Sequence, residues 1–301
     1  MPLHNTLIFT NGKGGVGKTS LTANFCGTAA RAGWRILAVD LDPQGNLGYD
    51  LGIDEESDDG KSLLAAVQGR GKATPLPAVR PSVNGGCFDL LPGGEAIADI
   101  DDHLHLEFED RGWEAYALLG DALKPLARNY DLIVCDTPPS RRHLQRALSY
   151  MARWAVVPTL ADERSLEGLA DVNKHLLTMR KYNPNIYVVG VALMMVNPSA
   201  TTVLRELRKN LTDALGTAVP VFEQTVRLAQ VAAVDLRSRG LLSSEYERDA
   251  ANALPWYEAK KTGATQQRFS SAASKLAEDY QRLSEEILDL IYESISKQQE
   301  I

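Results

Sequence analysis

The sequence is short of the features that would set it apart from ordinary globular proteins. It has only three cysteines, Cys26, Cys87 and Cys135, too widely spaced for a CxxC metal pair and too few for a disulfide framework. It has no run of 18 or more apolar residues, which excludes a membrane-spanning helix of the usual kind. The opening MPLHNTLIFTNG lacks the basic start and long apolar stretch of a secretory signal. Positive charge is in the minority: 32 Lys and Arg stand against 39 Asp and Glu, a net charge of −7. That balance argues against a protein built wholly around nucleic acid but permits a local basic patch. Internal repeats and low-complexity segments are also lacking. Together these absences point to a cytoplasmic protein. The 301 residues, 44% of them hydrophobic, suffice for a sizeable core.

Apolar runs of strand length alternate with helix-length segments. The expected strands are 6–10, 35–41, 88–92, 130–136, 154–160, 186–196 and 219–223. Several are continuous β-branched or leucine runs, as suits strands buried on both faces of a parallel sheet. Helices are expected over about 18–32, 112–128, 141–152, 163–181, 201–215, 226–239 and 266–297. The alternation predicts an α/β fold, a doubly wound and mostly parallel sheet flanked by helices. No linker divides the chain, so residues 1–301 read as a single domain with a C-terminal helix over about 266–297. Two segments read as insertions and solvated surface connections: about 54–86, with a short helix near 61–69, and the acidic stretch about 95–111.

Residues 12–19, GKGGVGKT, fit the pattern G-x-x-x-x-G-K-[ST], between an apolar strand and a helix. Glycines at 12, 14, 15 and 17 allow a tight turn that aims backbone N–H groups at phosphate oxygens, and the following helix adds its positive end. The expected nucleotide contacts are Gly12, Lys13, Gly14, Gly15, Val16, Gly17, Lys18, Thr19 and Ser20. Lys18 should reach the β- and γ-phosphates, and the Thr19 hydroxyl should bind Mg²⁺. Such a loop needs an acid on a neighbouring strand. YDLIVCD ends in Asp136, and RILAVDLD ends in Asp40 and Asp42, all where an open α/β sheet faces its ligand. Thr19, Asp136 and Asp40 are the candidate metal residues. The alternative role for each acid is a helix cap or turn.

KGGVGKTS (13–20), DLDPQGN (40–46) and DTPPS (136–140) together resemble the ParA/MinD group of ATPases, with its deviant phosphate loop. AVVPTLADERSLEGL (155–169) and VFEQTVRLAQV (221–231) look like later blocks of the ParA branch. The likeness spans roughly 5–245. It implies a P-loop fold, ATP and Mg²⁺ as ligands, and weak Mg-dependent ATP hydrolysis. It also gives the loop's second lysine a role: Lys13 would contact phosphates of the other subunit in an ATP-sandwich homodimer. Asp42 would position the attacking water, Asp40 would support it, and Asp136 would hold Mg²⁺ through water. Asn197 would meet the adenine.

The C-terminal segment carries Leu276, Tyr280, Leu283, Ile287, Leu288, Ile291 and Ile295 at helical spacing. Its polar face is acidic, which an anionic membrane would repel, so a helix packed on the sheet or a partner is expected. The ParA branch implies ATP-dependent, sequence-indifferent binding to double-stranded DNA, a nucleoid-associated location and a ParB-like partner that stimulates hydrolysis. No room for a helix-turn-helix precedes the first strand, so backbone contacts would carry the binding. The candidates are Arg205, Arg208, Lys209, Arg227, Arg237 and Arg239, with Lys260, Lys261 and Arg268 nearby in sequence. Relatives' NVRLSEAPSHGKP reads TVRLAQVAAVDLRS here, a departure on the DNA side rather than in the nucleotide chemistry. The implied function is DNA partition for a plasmid, phage or chromosome. The alternatives are a positioning ATPase for a protein cargo and a MinD-like membrane-surface regulator. His103 and His105, flanked by acids, imitate a metal site but have no evident third ligand.

Overall fold

The computed structural model describes residues 3–53, 56–76, 86–160, 177, 180, 181, 183–216, 219–253 and 269–299. The expected helix at 163–181 lies essentially outside them, as do Lys260, Lys261 and Arg268. So do residues 54, 55 and 77–85 of the 54–86 segment.

Among the described residues seven strands form one sheet: β1 (Thr6–Phe9), β2 (Arg35–Asp40), β3 (Cys87–Leu91), β4 (Leu132–Asp136), β5 (Trp154–Leu160), β6 (Tyr187–Val196) and β7 (Val221–Arg227). Their order is β3-β2-β4-β1-β5-β6-β7, and every pairing is parallel. The apolar runs divide by alternation. Leu7, Phe9, Ile36, Ala38, Leu132 and Val134 face one core, while Ile8, Leu37, Val39, Ile133 and Cys135 face the other. A strand covered on both sides needs apolar residues at every position, which is why no polar alternation shows in the sequence.

The first core is closed by α1 (Lys18–Arg31), α2 (Asn46–Asp50), α8 (Gln230–Arg239), α9 (Ser243–Asn252) and α10 (Ala273–Gln299). The second lies under α3 (Lys61–Val67), α4 (Ala96–Arg111), a 3₁₀ turn (Gly112–Tyr116), α5 (Ala117–Ala127), α6 (Arg142–Met151) and α7 (Thr201–Leu215). In α10 the residues Leu276, Tyr280, Leu283, Ile287, Leu288 and Ile291 are buried against the sheet and its neighbours. The acidic amphipathic helix therefore packs its apolar face inward.

Two expectations are corrected, and one helix is new. The acidic stretch 95–111 is no surface connection but the regular helix α4, because Ile97, Ile100 and Leu104 fall on one face and are fully buried. The charge on its other face hid that spacing. The segment 226–239 is not all helix: β7 runs on to Arg227, and α8 begins only at Gln230. Val226 is buried, and the Arg227 N–H donates to Asp279 on α10, which keeps the backbone extended there. The sequence also gave no sign of α9, whose start is held by the Glu245 carboxylate accepting from the Leu242 N–H and whose Tyr246 is fully buried.

Candidate functional site

The chain turns outward from β1 to β2 and β3, returns to β4, then builds the other half of the sheet from β5. The carboxyl ends of β1, β4 and β2 lie side by side at this change of direction, where open α/β sheets bind ligands. The loop 10–17 leaves β1 there. The Asn11 side chain fixes its root: the amide donates to Pro158 O at 2.7 Å, and its oxygen accepts from the Lys13 N–H at 2.9 Å. Gly15 and Gly17 have φ of 71° and 86°, a left-handed backbone that a side chain would strain. Gly17 caps α1 and points that helix's free N–H groups at the loop. Gly12 and Gly15 have open space where a Cβ would stand, as a cradle for a ligand requires.

Lys18 is buried beneath this crest. Its Nζ donates to Lys13 O at 2.9 Å and Asn11 O at 3.3 Å. Burial lowers its pKa, opposed by the charges of Asp136 and Asp42. Lys13 is half-buried at the loop's shoulder.

The three acids converge as neighbours. Asp40 and Asp136 are register partners at the ends of β2 and β4, and both are buried. Asp136 accepts from the Thr19 hydroxyl at 2.7 Å. The Thr22 hydroxyl, 3.4 Å from the other oxygen, donates to Lys18 O at 3.0 Å. Asp40 closes the following loop, accepting from Asp42 N at 3.0 Å and Leu47 N at 2.9 Å. Asp42 is half-exposed, with its carboxylate accepting from Gln44 N at 2.9 Å. Burial and then Asp136 raise the Asp40 pKa. Burial pushes Asp136 up to about 7 against the pull of Thr19 and Lys18.

A divalent cation would relieve these crowded acids. Among the described residues no three His, Cys, Asp or Glu side chains form a metal group by themselves. The set suits Mg²⁺, which takes one or two protein ligands and completes its shell with phosphate and water; Thr19 and Asp136 are placed for that, with Asp40 behind.

Sequence reasoning passed over two contributors. Asn11 anchors the loop, as above. Gly93, in LPGGEA, backs onto the acids so closely that a Cβ would stand 2.6 Å from Asp40 Cγ and 2.7 Å from Asp42 O. A Gly-Gly pair just past a strand end was the available signal.

Beside the loop a cleft of about 380 Å³ runs between α1, β6, β7 and α10, with Gly17, Ser20, Met194, Val226 and Tyr280 in its wall. Asn197 lies one residue beyond β6, exposed, its side chain accepting from Ser199 N at 3.0 Å; it is not among the residues lining this cleft. The candidate DNA contacts divide. Arg205 and Lys209 are exposed on α7. Arg208 donates to the carbonyls of Phe222 and Glu223. Arg227 is clamped on Asp279 at 2.5 and 2.6 Å, Arg237 meets α2, and Arg239 pairs with Asp235 at 2.9 Å and lies over Phe269. Four of the six guanidinium and ammonium groups thus have intramolecular partners. His103 and His105 do not converge on a metal; His105 Nδ1 faces His143 Nε2 at 3.1 Å, and Tyr116 binds the other His143 nitrogen.

A family model described as an AAA domain matches residues 4–188. The chain is 33% identical over 227 residues to a chromosome-partitioning ATPase, Soj, of Thermus thermophilus, covering 74% of this chain and 83% of that one. It is 31% identical over 221 residues to the chromosome partitioning protein ParA of Caulobacter vibrioides, covering 71% and 79%. Its fold resembles that of the cobyrinic acid a,c-diamide synthase of Mycobacterium smegmatis, solved with an ATP analogue and magnesium: TM-score 0.64, 24% identity, 88% and 99% of the two chains covered.

Proposed function

Because the chain belongs to the ParA/MinD family of P-loop ATPases, we propose that it is a DNA-partition ATPase whose ATP-bound form is a homodimer on double-stranded DNA. The observation that carries this reading is the meeting of a two-lysine phosphate loop with Asp40, Asp42 and Asp136 at three adjacent strand ends. Residues 12–20 hold the phosphates of ATP, and Lys18 leaves its two loop carbonyls to do so. Thr19 and Asp136 hold Mg²⁺, which supplies charge neutralisation at the phosphates. Asp42, the half-exposed member of the acid set, orients the attacking water, and Asp40 fixes the loop that carries it. Lys13 reaches the partner's phosphates, so ATP acts as a linkage between subunits. Asn197 meets the base at the end of β6.

Dimerisation doubles any basic surface, making DNA binding depend on nucleotide. The exposed pair Arg205 and Lys209 on α7 is the centre of that surface; Arg208 and Arg227 are held by β7 and α10, and Arg237 and Arg239 lie on α8 across the sheet. A ParB-like protein completes the site and speeds turnover. The buried apolar face of α10 favours a DNA track over a membrane surface, since that face is already occupied by the sheet.

The test is duplex-DNA binding without nucleotide, with ADP and with ATP–Mg²⁺, each over a salt series. Binding confined to ATP, falling steeply with salt and indifferent to sequence, is expected. ATP-driven dimers that ignore DNA would remove the DNA track and leave the nucleotide switch.

A further inference from the structure

Arg237 is a candidate DNA contact on sequence grounds, yet its half-exposed side chain lies across another helix. It meets α2 at three consecutive kinds of contact: it donates to the Asn46 side-chain oxygen, its guanidinium carbon lies 5.3 Å from the centre of the Tyr49 ring, and its Nε faces Asp50 Oδ1 at 3.1 Å. That Asp50 oxygen is sealed from solvent and has no hydrogen bond of good geometry, so the contact with Arg237 is chiefly coulombic. A second observation, independent of this side chain, ties the same two helices together. The residue after α8, Gly240 (φ 59°), packs backbone to backbone on Gly52, and a Cβ on Gly240 would stand 2.5 Å from Gly52 Cα.

What α2 carries makes this contact matter. Residues 41–45 hold Asp42 between two anchors. Upstream the anchor is Asp40, which binds Asp42 N and Leu47 N. Downstream is the five-residue helix α2, held on its inner side by the Asp40 bond to Leu47 N and by the burial of Leu47. Leu47 and Gly48 are buried, but Asn46, Tyr49 and Asp50 project toward α8, and Arg237 grips all three.

We propose that Arg237 is a positioning residue for ATP hydrolysis: by clamping Asn46, Tyr49 and Asp50 it fixes α2, and through α2 the loop that presents Asp42 to the attacking water. The inference rests on the ATPase reading above and adds to it a named link between α8 and the reacting end of the site. Asp50, Ser20 and Tyr280 also line the cleft beside the phosphate loop. A misplacement of even about 1 Å in a positioned group costs on the order of a hundredfold in rate, whereas substrate binding by the phosphate loop is left alone.

The experiment compares Arg237→Gln, Asp50→Asn and the double variant with the wild-type chain in steady-state ATP hydrolysis, without DNA. Each single variant is expected to lower kcat about tenfold with KM for ATP within about twofold, and the double variant to be no slower than the singles, since all three break one contact. Arg237→Lys, which keeps the charge beside Asp50, should recover part of the rate. A kcat for Arg237→Gln within twofold of wild type, a change confined to KM, or additive losses would overturn the proposal. Amide hydrogen exchange of residues 41–50 in the nucleotide-free protein gives a readout that needs no turnover. Faster exchange there in Arg237→Gln is expected, and unchanged exchange would sink the clamp. A wild-type chain that exchanges as expected but hydrolyses no ATP would instead refute the ATPase reading.

Discussion

Asp50→Asn should make the protein more stable and less active, and the size of the first effect follows from the structure. The Asp50 side chain is 14% exposed, and burial pushes its pKa from 3.8 to about 6 despite Arg237. The folded chain therefore holds this proton more tightly than the unfolded chain does. Below about pH 3 both states are protonated and the group has no effect on stability. As pH rises from about 3 to about 7 the unfolded state ionises first, so stability falls. Above about pH 7 the penalty is complete at about 3 kcal/mol. Asparagine stands in for the neutral form. Urea unfolding of wild type and Asp50→Asn at several pH values from 4 to 8 isolates this group, because Asp40, Asp136 and His143 titrate alike in both proteins. The difference should be small at pH 4 and reach about 3 kcal/mol in favour of the variant at pH 8, with a Tm higher by roughly 5–10 °C. A pH-independent difference, or a variant less stable at pH 8, would refute the reasoning. A gain in stability together with a lower kcat would separate positioning from mere support of the fold.

Lys18→Ala should abolish ATP binding, measured by calorimetry; retained tight binding would remove the loop from the phosphates. Lys13→Ala should still bind ATP yet remain monomeric by light scattering with ATP–Mg²⁺, and normal dimers would dismiss its role across subunits. Gly93→Ala drives a methyl group against Asp40 and the Asp42 carbonyl, so turnover should fall at least tenfold with nucleotide binding kept; wild-type kcat would show that the loop yields freely. Ile287→Ala empties a fully buried position under α10 and should cost about 2–5 kcal/mol in urea unfolding. A loss below 1 kcal/mol would mean that α10 is not part of the cooperative core.

The parts of the fold and site whose signals are local are legible in the residues alone. Seven apolar runs became the seven strands, because burial on both faces demands unbroken apolar residues. The glycine spacing of 12–17 and the lysine and threonine after it specified a phosphate loop, because only that backbone can cradle an anion at a helix start. Asp40, Asp42 and Asp136 were readable as strand-end acids, and the register of β2 and β4 then set Asp40 beside Asp136. Helix α4 was misread because six acids outweighed three well-spaced apolar residues, and packing decides in favour of the three. The fate of the arginines could only come from tertiary structure. A cation presented to DNA and one clamped within the protein look the same in sequence. What separates them is whether an acid, a ring or a carbonyl from a distant segment arrives at the guanidinium. For Arg227 the partner is Asp279, 52 residues away, and for Arg237 it is α2, nearly two hundred residues upstream. No local pattern encodes such meetings, because they are fixed by how the sheet brings α8 and α10 onto the face that already carries α2.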